Sequence, residues 1–285
     1  MPRLAVSARS LGLLLVLLVL AACSRLELVY HNLDWLIPWK LDDYLSLDAR
    51  QSAWLDARLD EHLRWHCRSE LPRYLDWLER QRGLLAGSPD AETLKGPMGE
   101  ARQLLQASLR HVTPDTARLL AGLSAAQVDE LDLRLAAERA RLNEQQLGGS
   151  PEQRLQRRAT RAQRRLEDWL GPLHPQQRAY LRLWAARHEA NVQPWLANRE
   201  RWQAQLLDDL RRPPKESLSA RLEPLLGQPE RYWSEDYRRA VARAERSLAE
   251  LLSELWASST PGQRAHLQAR LVALRSDLER LECRG

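Results

Sequence analysis

The chain has 285 residues and a formal net charge of +5, with 11 tryptophans and no phenylalanine. Charged residues make up 28% of it, so the positive surplus is mild and does not by itself indicate a nucleic-acid partner. Leu, Ala, Arg, Glu and Gln predominate, and no segment sustains the alternation of apolar and polar residues that a half-buried strand requires. The composition therefore excludes a β-rich fold and predicts an all-α protein.

The first 22 residues have the pattern of a secretory signal peptide. Arg3 and Arg9 precede an uncharged apolar run from Leu11 to Leu20, and small residues follow it. This run is too short to cross the bilayer as a helix, which takes about 20 apolar residues. A cleaved leader over residues 1–22 is therefore predicted in preference to a transmembrane anchor.

The residues at the predicted cleavage point, "LAAC" (residues 20–23), resemble the bacterial lipobox. The resemblance implies that Cys23 carries a thioether-linked diacylglycerol, becomes the first residue after cleavage and is then N-acylated. Ser24 stands where inner-membrane lipoproteins carry a retention aspartate. We therefore expect a lipid anchor in the outer membrane, with residues 23–285 forming one periplasmic domain; exposure at the cell surface is the alternative.

Removal of the leader leaves two cysteines that are not lipidated, Cys67 and Cys283. The periplasm is oxidising, so a remaining pair there is expected to form a disulfide. The alternative is two free thiols. The same removal takes away two arginines and lowers the formal charge from +5 to +3, which together with a periplasmic location argues against nucleic acid as a partner.

Leucine stripes at steps of three and four residues mark amphipathic helices throughout the chain. Turn compositions such as "GGSP" (148–151) and "SSTPG" (258–262) separate them. Pro72 and Pro194 lie inside helical stretches and are expected to kink them. The pattern predicts one elongated bundle of kinked antiparallel helices over residues 48–82, 97–111, 124–147, 151–170, 175–210, 230–257 and 261–283.

Four of these helix starts share a glutamine that follows the capping position by three residues: Gln51, Gln127, Gln177 and Gln263. Asp48, Ser124 and Thr260 precede three of them and predict capping boxes, whereas His174 precedes the fourth. The spacing also resembles the Leu-Thr-x-x-Gln signature of the small, all-helical Spy-like periplasmic chaperones, although no segment here holds both the Leu and the Thr. That resemblance implies a chaperone as an alternative function.

A longer resemblance covers residues 20 to about 82. The segments "LVYHNLDWLIPWKLDDYLSLD" (28–48) and "HLRWHCRSELPRYLDWL" (62–78) resemble a family of uncharacterised bacterial helical lipoproteins. The family implies the same fold and location, and no activity comes with it.

The segment "EHLRWHC" (61–67) is a candidate metal site. His62 and His66 are four residues apart, which places them on one helix face, and Glu70 could be a third ligand or an ion-pair partner. The helical metalloprotease motif needs a glutamate directly after the first histidine, where Leu63 stands. The pattern favours ordinary histidines on a helix, and neither zinc nor any other cofactor is expected.

Arginines on one face of the helix from 151 to 170 form a candidate anion site: Arg154, Arg158, Arg161 and Arg165. Guanidinium groups bind phosphate or carboxylate in a bidentate manner, as on lipopolysaccharide, lipid headgroups or an acidic partner. The alternative is a solvated face paired with acids of neighbouring helices. Trp35 and Trp39, close to the expected lipid, could rest on headgroups or fill the core.

No catalytic motif is present, and no catalytic residue is assigned. The sequence therefore predicts a lipid-anchored envelope protein that is not an enzyme. It is expected to work by contact with the membrane and with an envelope protein or lipid, as scaffold, partner or sensor. A Spy-like chaperone is the first alternative, and a hydrolase acting on the cell wall or on lipids is the second.

Overall fold

A computed structural model describes residues 29–212, 218–281 and 283. All regular secondary structure in these residues is helical, which confirms the predicted all-α bundle. The leader, Cys23 and Ser24 lie outside the described residues. Within the described ranges no helix is both long and apolar enough to cross a membrane.

The α-helices follow one another along the chain with short connections. They are α1 (Leu33–Leu41), α2 (Ala49–Trp65), α3 (Leu71–Leu84), α4 (Ala91–Ala121), α5 (Ala125–Leu147), α6 (Pro151–Leu170), α7 (Pro175–His188), α8 (Val192–Arg211), α9 (Leu218–Gly227), α10 (Glu235–Ala257) and α11 (Pro261–Glu279). A π-helix (His66–Glu70) joins α2 to α3, and short 3₁₀ turns (Glu189–Asn191 and Pro229–Tyr232) precede α8 and α10.

The helix type changes just before each of the two prolines at which the sequence predicts kinks. Pro72 is the second residue of α3, directly after the π-helix, and Pro194 is the third residue of α8, directly after a 3₁₀ turn. Proline cannot donate a backbone hydrogen bond and its ring clashes with the preceding turn, so the chain changes its helical winding just before each one.

The predicted bounds 97–111 for the second helix in the predicted series are wrong, because the helix there, α4, runs from Ala91 to Ala121. The Asp90 side chain caps its start by accepting from the backbone N–H of Thr93 at 2.8 Å. Pro97 and Pro114 both lie inside the helix. Since α4 packs along α9 and α10, tertiary contacts outweigh the local cost of the two prolines.

Two apolar clusters form the interior. The first joins the C-terminal part of α4 to α5, α8 and α9, with Leu222 and Leu225 fully buried. The second joins the end of α6 to α7 and α10, around Leu181 and Leu255.

The glutamines at the helix starts pair with one another. The capping boxes predicted at Asp48, Ser124 and Thr260 are confirmed, and Ser150 forms a further box with Gln153. The amides of Gln51 and Gln127 exchange hydrogen bonds of 3.2 and 2.7 Å, and those of Gln177 and Gln263 exchange bonds of 3.1 and 2.9 Å. The first pair joins α2 to α5, and the second joins α7 to α11.

The predicted disulfide is confirmed. Cys67, in the π-helix, is bonded to Cys283, with 5.5 Å between the two Cα atoms. Cys67 is buried beside Leu71 and Leu281. The bond therefore fixes the end of the chain to the junction between α2 and α3.

Candidate functional site

The most distinctive concave feature is an apolar cavity of about 420 Å³, which we call the apolar cavity. It lies where α3, α4, α6, α10 and α11 converge. Every lining residue except Gln81 is aliphatic, proline, methionine or tryptophan. The lining residues are Trp77, Leu78, Gln81, Leu84, Leu85, Pro89, Leu94, Pro97, Met98, Ala101, Leu166, Trp169, Leu170, Leu252, Leu255, Trp256, Leu267 and Leu271.

Three polar side chains of the cavity wall, Trp77, Gln81 and Trp256, donate hydrogen bonds within the protein. The indole N–H of Trp77 donates to the Pro97 carbonyl at 3.3 Å, and that of Trp256 donates to the Gly87 carbonyl at 3.0 Å. The Gln81 amide donates to the Trp77 carbonyl at 3.1 Å. The wall therefore offers apolar surface to a ligand and no titratable side chain for acid–base chemistry.

The loop between α3 and α4 closes one side of the cavity. It supplies Leu85 and Pro89 to the wall. Besides the bond from Trp256 to Gly87, the Ser253 hydroxyl donates to the Pro89 carbonyl at 3.4 Å. Both donors lie on α10, so this helix holds the loop in place.

A second, more polar pocket of about 540 Å³ adjoins the apolar cavity, and we call it the arginine pocket. Leu85 and Trp256 line both spaces. The other lining residues of the arginine pocket are Glu79, Arg82, Gly83, Ala86, Arg264, Ala265 and Gln268. The apolar cavity therefore lies next to a pocket with charged side chains.

Arginines stack on two of the cavity's tryptophans. The Arg264 guanidinium lies 4.9 Å from the centre of the Trp256 ring, and one of its Nη atoms donates to the Trp256 carbonyl at 3.3 Å. The Arg270 guanidinium lies 5.7 Å from the Trp169 ring. Such cation–π contacts are attractive, and they place positive charge beside the apolar wall.

The Glu79 carboxylate is the acid of the arginine pocket and already has two arginine partners. Arg82 donates to it at 2.7 Å and Arg275 donates at 2.5 Å. These contacts, the Arg275 bond first, lower the pKa of Glu79 below its ordinary value. Glu79 is therefore ionised at neutral pH, and its single charge is shared between two guanidinium groups.

His62, the first residue of the candidate metal site, lies in a contact network with α4. Its Nε2 atom is 3.1 Å from a carboxylate oxygen of Asp115, without hydrogen-bond geometry. His111 contacts it edge-on, with ring centres 5.1 Å apart, and Trp65 stacks on His111 at 3.5 Å. Burial, and then repulsion from His62, lowers the pKa of His111.

His66 and Glu70 have other partners. The two ring nitrogens of His66 hydrogen-bond the hydroxyls of Tyr30 and Tyr74 at 3.1 and 3.2 Å. The buried Glu70 carboxylate accepts two bonds from Arg73, at 2.9 and 3.1 Å. No group of three or more His, Cys, Asp or Glu side chains in the described ranges is placed to hold a metal ion. The structure thus leaves the three candidate ligands in separate contacts.

The predicted arginine face is divided in two. Arg154 and Arg158 both bond Glu189, at 2.9 and 2.7 Å, and Arg158 is only 6% exposed. Burial alone would raise the pKa of Glu189, but the bonds from these arginines outweigh it and lower the pKa. Arg161 and Arg165 are exposed. Half of the stripe therefore stabilises the contact between α6 and the 3₁₀ turn that follows α7.

Trp35 and Trp39 lie at the surface and not in the core. They are 60% and 55% exposed, and their rings stack with centres 5.8 Å apart. The pocket beside them is lined by four carboxylates, those of Asp34, Asp42, Asp56 and Asp60.

The chain belongs to DUF6279, a family of unknown function. The family model matches residues 43–238, which agrees with the predicted resemblance to an uncharacterised family. No curated protein and no solved structure matches the chain, and nothing in these comparisons supports the Spy-like resemblance.

The matched residues include the α3, α4 and α6 walls of the apolar cavity. The walls from α10 and α11, which supply Trp256 and Leu267, lie after the match. The apolar cavity and the arginine pocket were not among the sites predicted from the sequence. Their residues come from five helices, and no local spacing in the chain indicates that they meet.

Proposed function

We propose that this protein is a lipid-anchored envelope protein that binds the apolar chain of a small amphiphile and has no catalytic role of its own. The observation that carries the proposal is the apolar cavity, with its tryptophan and leucine walls and internally bonded polar atoms. Its volume of about 420 Å³ lies within the roughly 300–1,000 Å³ of small-molecule sites.

Burial of a hydrocarbon chain supplies enough free energy for useful affinity. Each buried methylene contributes about 0.8 kcal/mol, so a ten-carbon chain contributes on the order of 8 kcal/mol. The loss of translational and rotational freedom costs about 4 kcal/mol or more. The difference corresponds to dissociation constants around the millimolar range, and a bonded headgroup would bring them toward the micromolar range.

The location is supported by the first 24 residues. The apolar run, the "LAAC" segment and Ser24 together favour an acylated Cys23 at the periplasmic face of the outer membrane. A disulfide between Cys67 and Cys283 suits an oxidising compartment. An anchored chain-binding protein would meet lipid-derived amphiphiles at the membrane surface.

Radioactive palmitate labelling in cells tests the anchor. The wild-type protein should be labelled and should fractionate with the outer membrane. A Cys23→Ser variant should be unlabelled and retain its leader. Labelling of that variant, or its normal maturation, would contradict the proposed anchor.

Calorimetric titration with decanol, a neutral ten-carbon probe, tests the cavity. The chain from Ser24 to Gly285 contains every described contact and avoids the need for detergent. We expect saturable binding of one decanol per chain. Ala101→Trp should fill the cavity and weaken binding at least tenfold, whereas Ala126→Trp, at an exposed position of α5, should leave it unchanged.

Leu252→Trp, at a lining residue of α10, provides a second blocking variant. Circular dichroism and melting temperature establish that each variant is folded. The absence of saturable decanol binding to the wild-type protein would refute the proposal. Binding of decanol to both folded blocking variants with the wild-type affinity would also refute it.

A further inference from the structure

We propose that the arginine pocket holds the anionic headgroup of the amphiphile whose chain occupies the apolar cavity. The ligand is then a single-chain amphiphile that ends in a carboxylate or a phosphate. This inference rests on the proposed function and adds to it the chemical class of the ligand and the residues that select it.

The two spaces are adjacent, as one amphiphile requires. Leu85 and Trp256 line both, so the end of the apolar cavity and the start of the arginine pocket share one boundary. Trp256 is only 5% exposed, and its N–H bond to Gly87 fixes the indole. A chain lying against one side of this boundary would place its headgroup near the guanidinium of Arg264, which lies over the Trp256 ring.

Two arginines of the arginine pocket each have a hydrogen-bond donor without a partner. The Nε atoms of Arg82 and Arg264 are both buried and have no hydrogen-bond partner among the described residues. Both arginines line the arginine pocket. A guanidinium offers pairs of N–H groups that fit two oxygens of a carboxylate or phosphate, and binding through Nε would require these side chains to turn toward the pocket.

The charge of the arginine pocket favours the same ligand. Arg82 and Arg264 line it together with one acid, Glu79. Glu79 already accepts from Arg82 and from Arg275, outside the lining. No ion pair joins Arg264 to a carboxylate in the part of the chain that the structure describes. Its positive charge is therefore available to a bound anion.

Titration of the Ser24–Gly285 chain with four ten-carbon probes tests this selection. The probes are decanol, decanoate, decyl phosphate and decyltrimethylammonium, each below its micelle-forming concentration. We expect at least one anionic probe to bind tenfold or more tightly than decanol, and decyltrimethylammonium to bind more weakly than decanol. Tighter binding of decanoate would indicate a fatty acid, and tighter binding of decyl phosphate would indicate a lipid phosphate.

Substitution of the arginines tests whether the preference for an anionic headgroup comes from this pocket. Arg264→Gln should reduce the preference for the anionic probe, measured as the ratio of its affinity to that of decanol in the same variant, to less than threefold. Arg82→Gln should act in the same direction, and Arg264→Lys should retain part of the preference because it keeps the charge without the paired N–H groups. Arg161→Gln, at an exposed arginine of α6, is the matched control and should have no effect.

The outcomes separate this inference from the proposed function. If decanol and the anionic probes bind equally and Ala101→Trp blocks them all, the cavity binds chains and the headgroup assignment is wrong. An unchanged anionic preference in folded Arg264→Gln and Arg82→Gln variants would also overturn it. If none of the four probes binds, both proposals fail together.

Discussion

Removal of the disulfide between Cys67 and Cys283 should cost a large part of the protein's stability. The two cysteines are 216 residues apart in the chain, so the bond closes a loop that contains almost all of the described helices. In the chain-entropy model, a loop of this length restricts the unfolded state by about 18 cal/mol/K, which is about 5 kcal/mol at 25 °C. That is comparable to the whole free energy of unfolding of many domains.

The clearest perturbation is the double variant Cys67→Ala, Cys283→Ala. Alanine avoids placing a new hydroxyl or thiol next to the buried Leu71 and Leu281. Urea unfolding, followed by circular dichroism, should give a free energy of unfolding lower by about 3–5 kcal/mol than that of the oxidised wild type. The reduced wild type serves as the matched control and should behave like the variant.

The urea dependence provides a second measurement. A crosslinked unfolded chain exposes less surface, so the oxidised protein should also show the smaller m value. A loss of less than about 1 kcal/mol, with an unchanged midpoint and m value, would refute the entropic reasoning. It would mean that the unfolded chain is already as compact without the bond.

Three further predictions concern stability. Gln263→Ala should cost about 2–3 kcal/mol because it removes the bonds that this side chain makes with the buried Gln177 amide and with the Pro172 carbonyl, whereas Gln127→Ala, in the more exposed glutamine pair, should cost about 1 kcal/mol; urea unfolding measures both. Arg158→Ala should cost about 3 kcal/mol because Glu189 loses a buried partner, and Arg161→Ala should stay within about 0.5 kcal/mol. Burial lowers the pKa of His66 in the folded protein below its ordinary 6.5, so the unfolded chain takes up the proton first and stability should fall as pH drops below 6.5.

Each of these has a contradicting result. Equal losses for Gln263→Ala and Gln127→Ala would mean that burial of the pair does not set its contribution. Equal losses for Arg158→Ala and Arg161→Ala would deny the structural role assigned to the Glu189 contact. For the histidine, melting temperatures between pH 7.5 and 5 should decline less steeply in His66→Gln, and an identical decline would remove it as a contributor. His111 and His188, whose pKa values are also lowered, first of all by burial, should account for the remaining slope.

Features that depend on local sequence could be predicted, whereas the length of α4 and the apolar cavity depend on tertiary packing. The caps at Asp48, Ser124 and Thr260 and the irregular helix just before Pro72 and Pro194 were predictable, because each depends on hydrogen bonds or clashes within a few residues. The length of α4 could not be predicted in this way, because packing on α9 and α10 keeps this helix continuous through Pro97 and Pro114.

The sequence by itself determined the all-helical class, most helix bounds and, through the expectation of an oxidising compartment, the pairing of Cys67 with Cys283. Only the tertiary structure decided that Arg158 bonds Glu189, 31 residues away, and that Trp77 and Leu271 line the same cavity. The physical reason is distance along the chain. Periodicity and capping record interactions over one or two helical turns, whereas a cavity between five helices depends on how their faces meet.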